Sequence, residues 1–412
     1  MVDQPPPTAR PQLLYLSPVI PSTSGNGLAM RAGMVLQLLS QHHSVSLLVV
    51  RLYAPYDAPL PAVIACLCSQ SVLVSAHRTA REPSKFQWRQ LLKPFDRTTR
   101  EESPLARSPM EAAASAFRGV RFDLLHVFRI SMLPFARSYM EAPRQIPQCH
   151  LDLDDVESTT HRRLSELYRL NGNSTLARFE EAAAERADAL ETEVLRSFDR
   201  LYVCSEADKA RLQSRAGTRI CVLPNALPLP GPLPLKRPGR PFTFLFIGTL
   251  GYYPNEDAIL HFCTAVLPLI RRASQQAIQV MIIGTGASRP IQHLRNLPEV
   301  QLVGPVPDVA PWYGQADAAI IPVRAGGGTR IKVLEAFRYE CPVVSTSIGM
   351  EGIAARAEEH VLIGDTPAAL AEQCLRLMAD PALGRRLAGS AARLFRRSYT
   401  LEAAARSLET CS

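Results

Sequence analysis

The chain has 412 residues, of which 47% are hydrophobic and 20% charged, and a formal net charge of +8. That length exceeds one ordinary hydrophobic core and predicts two domains of roughly 200 residues each, while the composition excludes a disordered chain. The positive balance attracts anions, whether nucleotide phosphates, anionic lipid or nucleic acid, and does not choose among them.

From the beginning, Met1 to Pro11 is polar and proline-rich, with no basic start leading into an apolar run, so no secretory signal is read. Apolar stretches such as Leu14 to Ile20 fall far short of the roughly 18 residues that cross a bilayer. Nine scattered cysteines, with Cys66 and Cys68 their closest pair, match no metal knuckle and read as reduced, mostly buried thiols. A cytoplasmic protein is expected.

Short apolar runs then alternate with amphipathic helical patterns, as parallel sheets covered by helices require. Leu13 to Leu16 reads as a strand, Gly27 to Ser40 as a helix, and Val45 to Val50 and Leu124 to Val127 as further strands buried on both faces. Between them a basic run, Arg78, Arg81, Lys85, Arg89, Lys93, Arg97, Arg100 and Arg107, suits a solvated face or peripheral contact with an anionic membrane. Ala177 to Phe198 reads as a long helix and Arg200 to Cys204 as a strand. Seven prolines in Leu223 to Pro241 favour an extended connection, and the domain boundary is set there.

The second half repeats the pattern, with strands at Phe242 to Ile247, Val280 to Ile283, Val300 to Val303, Ala318 to Pro322 and Pro342 to Ser345, and helices at Asn255 to Arg272 and Ile331 to Tyr339. The expected division is 1–222 for the N-terminal domain, 223–241 for the linker, 242–394 for the C-terminal domain, and 395–412 for a last helix packing back on the N-terminal domain.

The most informative segment, Ile320 to Thr346, runs strand, glycine-rich loop, helix, strand. Gly326, Gly327 and Gly328 ahead of a helix let backbone N–H groups approach a phosphate, and the helix dipole favours negative charge there. Arg330 and Lys332 add positive charge beside the loop. Glu335 lies one turn on and can accept two ribose hydroxyl hydrogen bonds.

This segment resembles the donor-site signature of glycosyltransferase family 4, retaining enzymes of the GT-B fold, and the likeness extends over nearly the whole chain. It rests on Leu334-Glu335-Ala336 followed by Pro342-Val343-Val344. The resemblance implies an α/β protein with two Rossmann-like doubly wound domains facing across a cleft. It further implies an enzyme that moves a sugar from a nucleotide-diphosphate sugar to an acceptor hydroxyl with retention of configuration, in glycan, polysaccharide or glycolipid biosynthesis. Glu335 takes the ribose role. The family's first glutamate falls at Gly327, so the amides of the triglycine and Thr329 are assigned to the donor in its place. The family often has a basic pair after the first C-terminal-domain strand, but here that loop, starting at Gly248, reads GTLGYYPN without Arg or Lys. Arg330 and Lys332 are therefore expected to neutralise the diphosphate, with Arg330 the stronger candidate.

In the N-terminal half, Pro18 to Arg31 resembles the family loop facing the donor, with Gly25 and Gly27 permitting close approach. Phe122 to Val127 resembles the strand that ends in a histidine beside the donor sugar, which makes His126 the candidate. The expected acceptor is a sugar, a lipid-linked sugar or a small molecule, with no metal, no cofactor and no nucleic acid required. Alternatives are a catalytically inactive GT-B carbohydrate-binding or scaffold protein, favoured by the missing first glutamate, and a GT-B-fold sugar epimerase.

Two motifs are discounted. Gly284-Thr285-Gly286 follows a strand, but Arg289 stands where a dinucleotide fingerprint needs its third glycine. Asp152-Leu153-Asp154-Asp155 resembles the metal-binding aspartates of the other major glycosyltransferase fold, yet the surrounding pattern does not, and a structural or cleft-lining role is assigned.

Overall fold

The computed structural model describes residues 10–52, 58–75, 107–141, 146–213, 215, 217, 219–232 and 241–411. The basic run from Arg78 to Arg100 and residues 233–240 of the Pro-rich connection lie outside the described residues. The chain divides into two compact units, Met1–Ser158 with Glu181–Leu223 and Cys411, and Thr159–Glu180 with Pro224–Thr410 and Ser412. A boundary near residue 223 is therefore present, but residues 159–180 belong to the second unit, and α-helical residues 401–410 do too.

The first unit is built on a parallel sheet in the order β3-β2-β1-β4-β5-β6-β7, with β1 Gln12–Ser17, β2 Ser44–Arg51, β3 Gln70–Ser75, β4 Leu124–Phe128, β5 Gln148–Asp152, β6 Arg200–Val203 and β7 Arg219–Val222. Its central strands are apolar on both faces because helices cover both sides. Three strands were not read from the sequence. β3 and β7 lie at the sheet edges and carry exposed polar residues, and β5 holds the polar His150 and Asp152. Polar residues on β5 are accommodated by partners: Arg31, 1% exposed, pairs with Asp152 at 2.9 Å and donates to the Leu223 carbonyl at 3.0 Å. Truncating one partner would leave a buried charge uncompensated. Asp154 completes the group at 3.5 Å from Arg31, so Asp152 and Asp154 are bound up in ion pairs.

The second unit has a parallel sheet in the order β10-β9-β8-β11-β12-β13, with β8 Phe242–Ile247, β9 Ile278–Ile283, β10 Val300–Gly304, β11 Ala318–Ile321, β12 Val343–Ser345 and β13 Leu362–Ile363. This is the doubly wound order, with its direction of winding reversing between β8 and β11. The single helix expected over Asn255 to Arg272 is interrupted. Tyr253–His261 is α-helical, Phe262–Val266 widens into a π turn, and Leu267–Ala273 resumes the α-helix with Pro268 in its first turn. Proline has no N–H to bond back and its ring crowds the preceding turn, so the helix opens where Pro268 enters.

The helix Glu157–Leu170 crosses from one unit to the other. Leu164 and Leu167 pack with Ala325, and Tyr168 stacks on Tyr253 with ring centroids 4.2 Å apart. Asn171, just past the helix, donates to Tyr253 Oη and to Asp257, both at 2.8 Å. Arg324 bonds both oxygens of Asp257 at 2.6 and 2.9 Å. These contacts tie 159–180 to the loop that follows β11.

Candidate donor site

In an open parallel sheet, ligands bind beyond the carboxyl ends of the strands where the winding reverses. In the second unit that point lies between the loop after β8, beginning at Gly248, and the loop after β11, Pro322 to Arg330. Both glycine-bearing segments singled out in the sequence meet there.

The glycine requirement is local. Gly326 has φ +113° and Gly328 φ +64°, in the left-handed region that glycine enters without a steric penalty. Arg330 caps the helix Ile331–Arg338 with extended backbone, and its guanidinium folds back to donate to the carbonyls of Gly327 and, at 2.8 Å, Gly328. Among the described residues, the N–H groups of Gly327, Gly328 and Thr329 donate to no protein acceptor. Thr329 accepts through Oγ1 from Asn225 Nδ2 at 2.5 Å. The loop thus presents successive free amides ahead of a helix N-terminus, a concavity suited to an anion.

Lys332 takes a different path from Arg330. Its ammonium crosses to the loop after β8 and the first turn of the helix that follows it, 2.7 Å from Asn255 Oδ1 and 4.5 Å from the centre of the Phe246 ring. A Cβ on Gly248 would lie 2.8 Å from that nitrogen, so this position must be glycine for the lysine to sit there. The loop without a basic residue of its own therefore receives one from the neighbouring strand-loop-helix segment. Desolvation, aided by Arg330, brings Lys332 down to about 7, against which Glu335 acts. Glu335 rises to about 7, again chiefly through desolvation, with Lys332 and Arg338 opposing. Tyr313 Oη approaches Glu335 Oε2 at 3.5 Å and donates to the Lys332 carbonyl at 3.3 Å.

The sequence reasoning thus brought Gly248, Gly327, Gly328, Thr329, Arg330, Lys332 and Glu335 into one region of the second unit. It did not foresee Asn255, Tyr313 or Asn225. Asn255 carried a signal, as a polar residue in the quoted segment.

The first-unit candidates are placed separately. Gly25, at φ +99°, and Gly27 are exposed, and Asn26 between them caps the helix Gly27–Ser40 through the Ala29 amide at 3.0 Å. His126 is enclosed: it is 1% exposed, stacked on Tyr15 at 5.2 Å between centroids, with His150 and Tyr202 at 6.5 and 5.7 Å. Registered neighbours on β1, β4 and β5 build this ladder. Burial, with Arg31 adding to it, lowers His126 to about 3, which keeps the imidazole neutral.

Residues 241–380 match the family model described as glycosyl transferases group 1. The chain is similar in structure to the sucrose-phosphate synthase of Thermosynechococcus elongatus, with TM-score 0.71 and 15% identity over 97% of this chain and 98% of that one. Anabaena HepE in complex with UDP-glucose matches with TM-score 0.63 and 13% identity, over 97% and 99%. A glycosyltransferase from Rickettsia africae matches with TM-score 0.59 and 11% identity, over 98% of both chains. No curated protein matches the chain in sequence. The fold is thus two parallel-sheet α/β domains of the GT-B kind.

Proposed function

We propose that the chain transfers a sugar from a nucleotide-diphosphate sugar to an acceptor hydroxyl, with retention at the anomeric carbon, and that the second unit holds the donor. The observation that carries this reading is the convergence, at one sheet switch point, of three free loop amides, a half-buried lysine and a half-buried glutamate. The glycosyltransferase match over the same residues supports it, as does the UDP-glucose bound by the structurally similar HepE.

Glu335 accepts from the ribose hydroxyls. The amides of Gly327, Gly328 and Thr329, together with Lys332, neutralise the diphosphate. As the sugar–phosphate bond breaks, negative charge builds on the departing phosphate oxygen, and preorganised donors and a cation beside it lower the barrier. The acceptor hydroxyl attacks from the face the phosphate leaves, and a phosphate oxygen takes its proton, so neither a side-chain base nor a metal is required. The acceptor is a sugar, a lipid-linked sugar or a small molecule of glycan, polysaccharide or glycolipid synthesis, reached in the cytoplasm or at an anionic membrane surface.

Incubation with UDP-, GDP-, ADP- and TDP-sugars tests this, since a transferase slowly hydrolyses its donor in the absence of acceptor. Release of one nucleoside diphosphate supports the reading. Binding without release would instead support an inactive carbohydrate-binding protein, which the absence of a carboxylate at Gly327 favours.

A further inference from the structure

Arg163, on the helix Glu157–Leu170, lies far from the glycine loop in sequence and touches it in space. Its Nη1 donates to the Gly326 carbonyl at 3.0 Å. The same guanidinium is paired through both nitrogens with the carboxylate of Glu351, at 2.8 Å for Nη2 to Oε1. The two side chains are 20% and 19% exposed, so the pair is well shielded from water.

In a trans peptide the C=O and the following N–H point in opposite directions. A guanidinium that holds the Gly326 carbonyl therefore aims the Gly327 amide the other way. Arg330 does the same one step on, holding the carbonyls of Gly327 and Gly328 and so turning out the amides of Gly328 and Thr329. Gly326, at φ +113°, is a residue whose peptide plane would otherwise rotate at little cost. Arg163 is fixed by two hydrogen bonds to one carboxylate, a geometry only arginine supplies.

We infer that Arg163, held by Glu351, is a positioning residue that sets the aim of the loop amides on the donor diphosphate. It does not itself touch the donor, because its fork is taken up by Glu351 and Gly326. The inference rests on the donor-site reading above.

The test compares UDP with uridine by ligand-observed NMR, which reaches millimolar affinities, alongside melting curves. Arg163→Met is expected to weaken UDP binding at least tenfold, with uridine binding unchanged, because only the phosphates meet the loop amides. Glu351→Gln, which keeps one acceptor for the guanidinium, is expected to show the same selective loss in smaller degree. UDP affinity unchanged in both folded variants, or UDP and uridine weakened equally, overturns the positioning role. If the unaltered protein binds none of UDP, GDP, ADP and TDP better than the matching nucleoside, the donor-site reading fails and the inference falls with it; if another of these is the one bound, that diphosphate and its nucleoside replace UDP and uridine.

Discussion

Lys332 donates to Asn255, 77 positions earlier in the chain, at 2.7 Å, and Asn255 in turn donates to the Thr249 carbonyl at 3.0 Å. A loop without a positive charge thereby acquires one in a fixed orientation. Arg330, by contrast, donates through Nη1 to two carbonyls of its own loop, while its buried Nη2 has no protein partner among the described residues. From the place of its ammonium beside that loop, Lys332 is expected to contribute more to the transfer rate than Arg330. Lys332→Met should lower the transfer rate on the order of a hundred- to a thousand-fold, as loss of a transition-state electrostatic partner does. Arg330→Ala should cost less, and a larger loss in Arg330→Ala than in Lys332→Met would contradict this assignment.

The pH dependence of donor binding follows from Lys332 and Glu335, both displaced to about 7. Lys332 is cationic below that value and loses its attraction for the diphosphate above it. Glu335 accepts hydrogen bonds fully only when ionised, above the same value. Affinity for a nucleotide sugar, whose diphosphate is esterified at both ends, should therefore peak near pH 7. The two limbs belong to the interacting pair jointly. Lys332→Met should flatten the alkaline limb and Glu335→Gln the acid one, as read from KM across pH 5.5 to 9.

A third expectation concerns stability. His126 and His150 are both held at about 3 by burial, so between that value and about 6.5 the unfolded chain binds more protons than the folded one. Stability is complete above the window and falls as the pH drops through it, by up to about 1.4 kcal/mol per histidine per pH unit. Both ring nitrogens of His126 lack a partner among the described residues. His126→Phe preserves the stack on Tyr15 and cannot take up a proton. It should melt at a higher temperature than the parent at pH 5 and differ less at pH 8; equal sensitivity to acid would show that His126 does not control it.

Two glycines separate function from folding. At Gly248 an added Cβ meets the flexible end of Lys332, whereas at Gly33 it would lie 2.2 Å from the Ser22 backbone carbonyl oxygen. Gly248→Ala should displace the ammonium and weaken donor binding with little change in melting temperature. Gly33→Ala should cost roughly 1 to 3 kcal/mol of stability, as overpacking does. Denaturant titration and donor KM, measured on both, resolve the two effects.

The sheets were legible because their inner strands are uninterrupted apolar runs, and the glycine loop because three consecutive glycines precede a helix. Edge strands such as β3 and β7 were not, since a half-exposed strand carries polar residues and resembles a loop. The enclosure of His126 was not legible, because its place on a strand says nothing of the tyrosines around it, which come from β1 and β6. Asn255 and Arg163 depend on contacts across 77 and 163 positions or more, and local pattern does not encode such partners. The placement of 159–180 escaped notice for the same reason.

That placement also bears on biosynthesis. The residue that holds Gly326 is made long before its carboxylate partner, for Arg163 and Glu351 are 188 positions apart. At ribosomal rates of about 5–20 residues per second, the helix bearing Arg163 waits roughly 10–40 s for the strands and loop it joins. The second unit is thus not a module that can be cut out at residue 224 and expressed alone. A fragment starting there would possess every glycine of the 326–328 loop and lack the arginine that holds its first carbonyl.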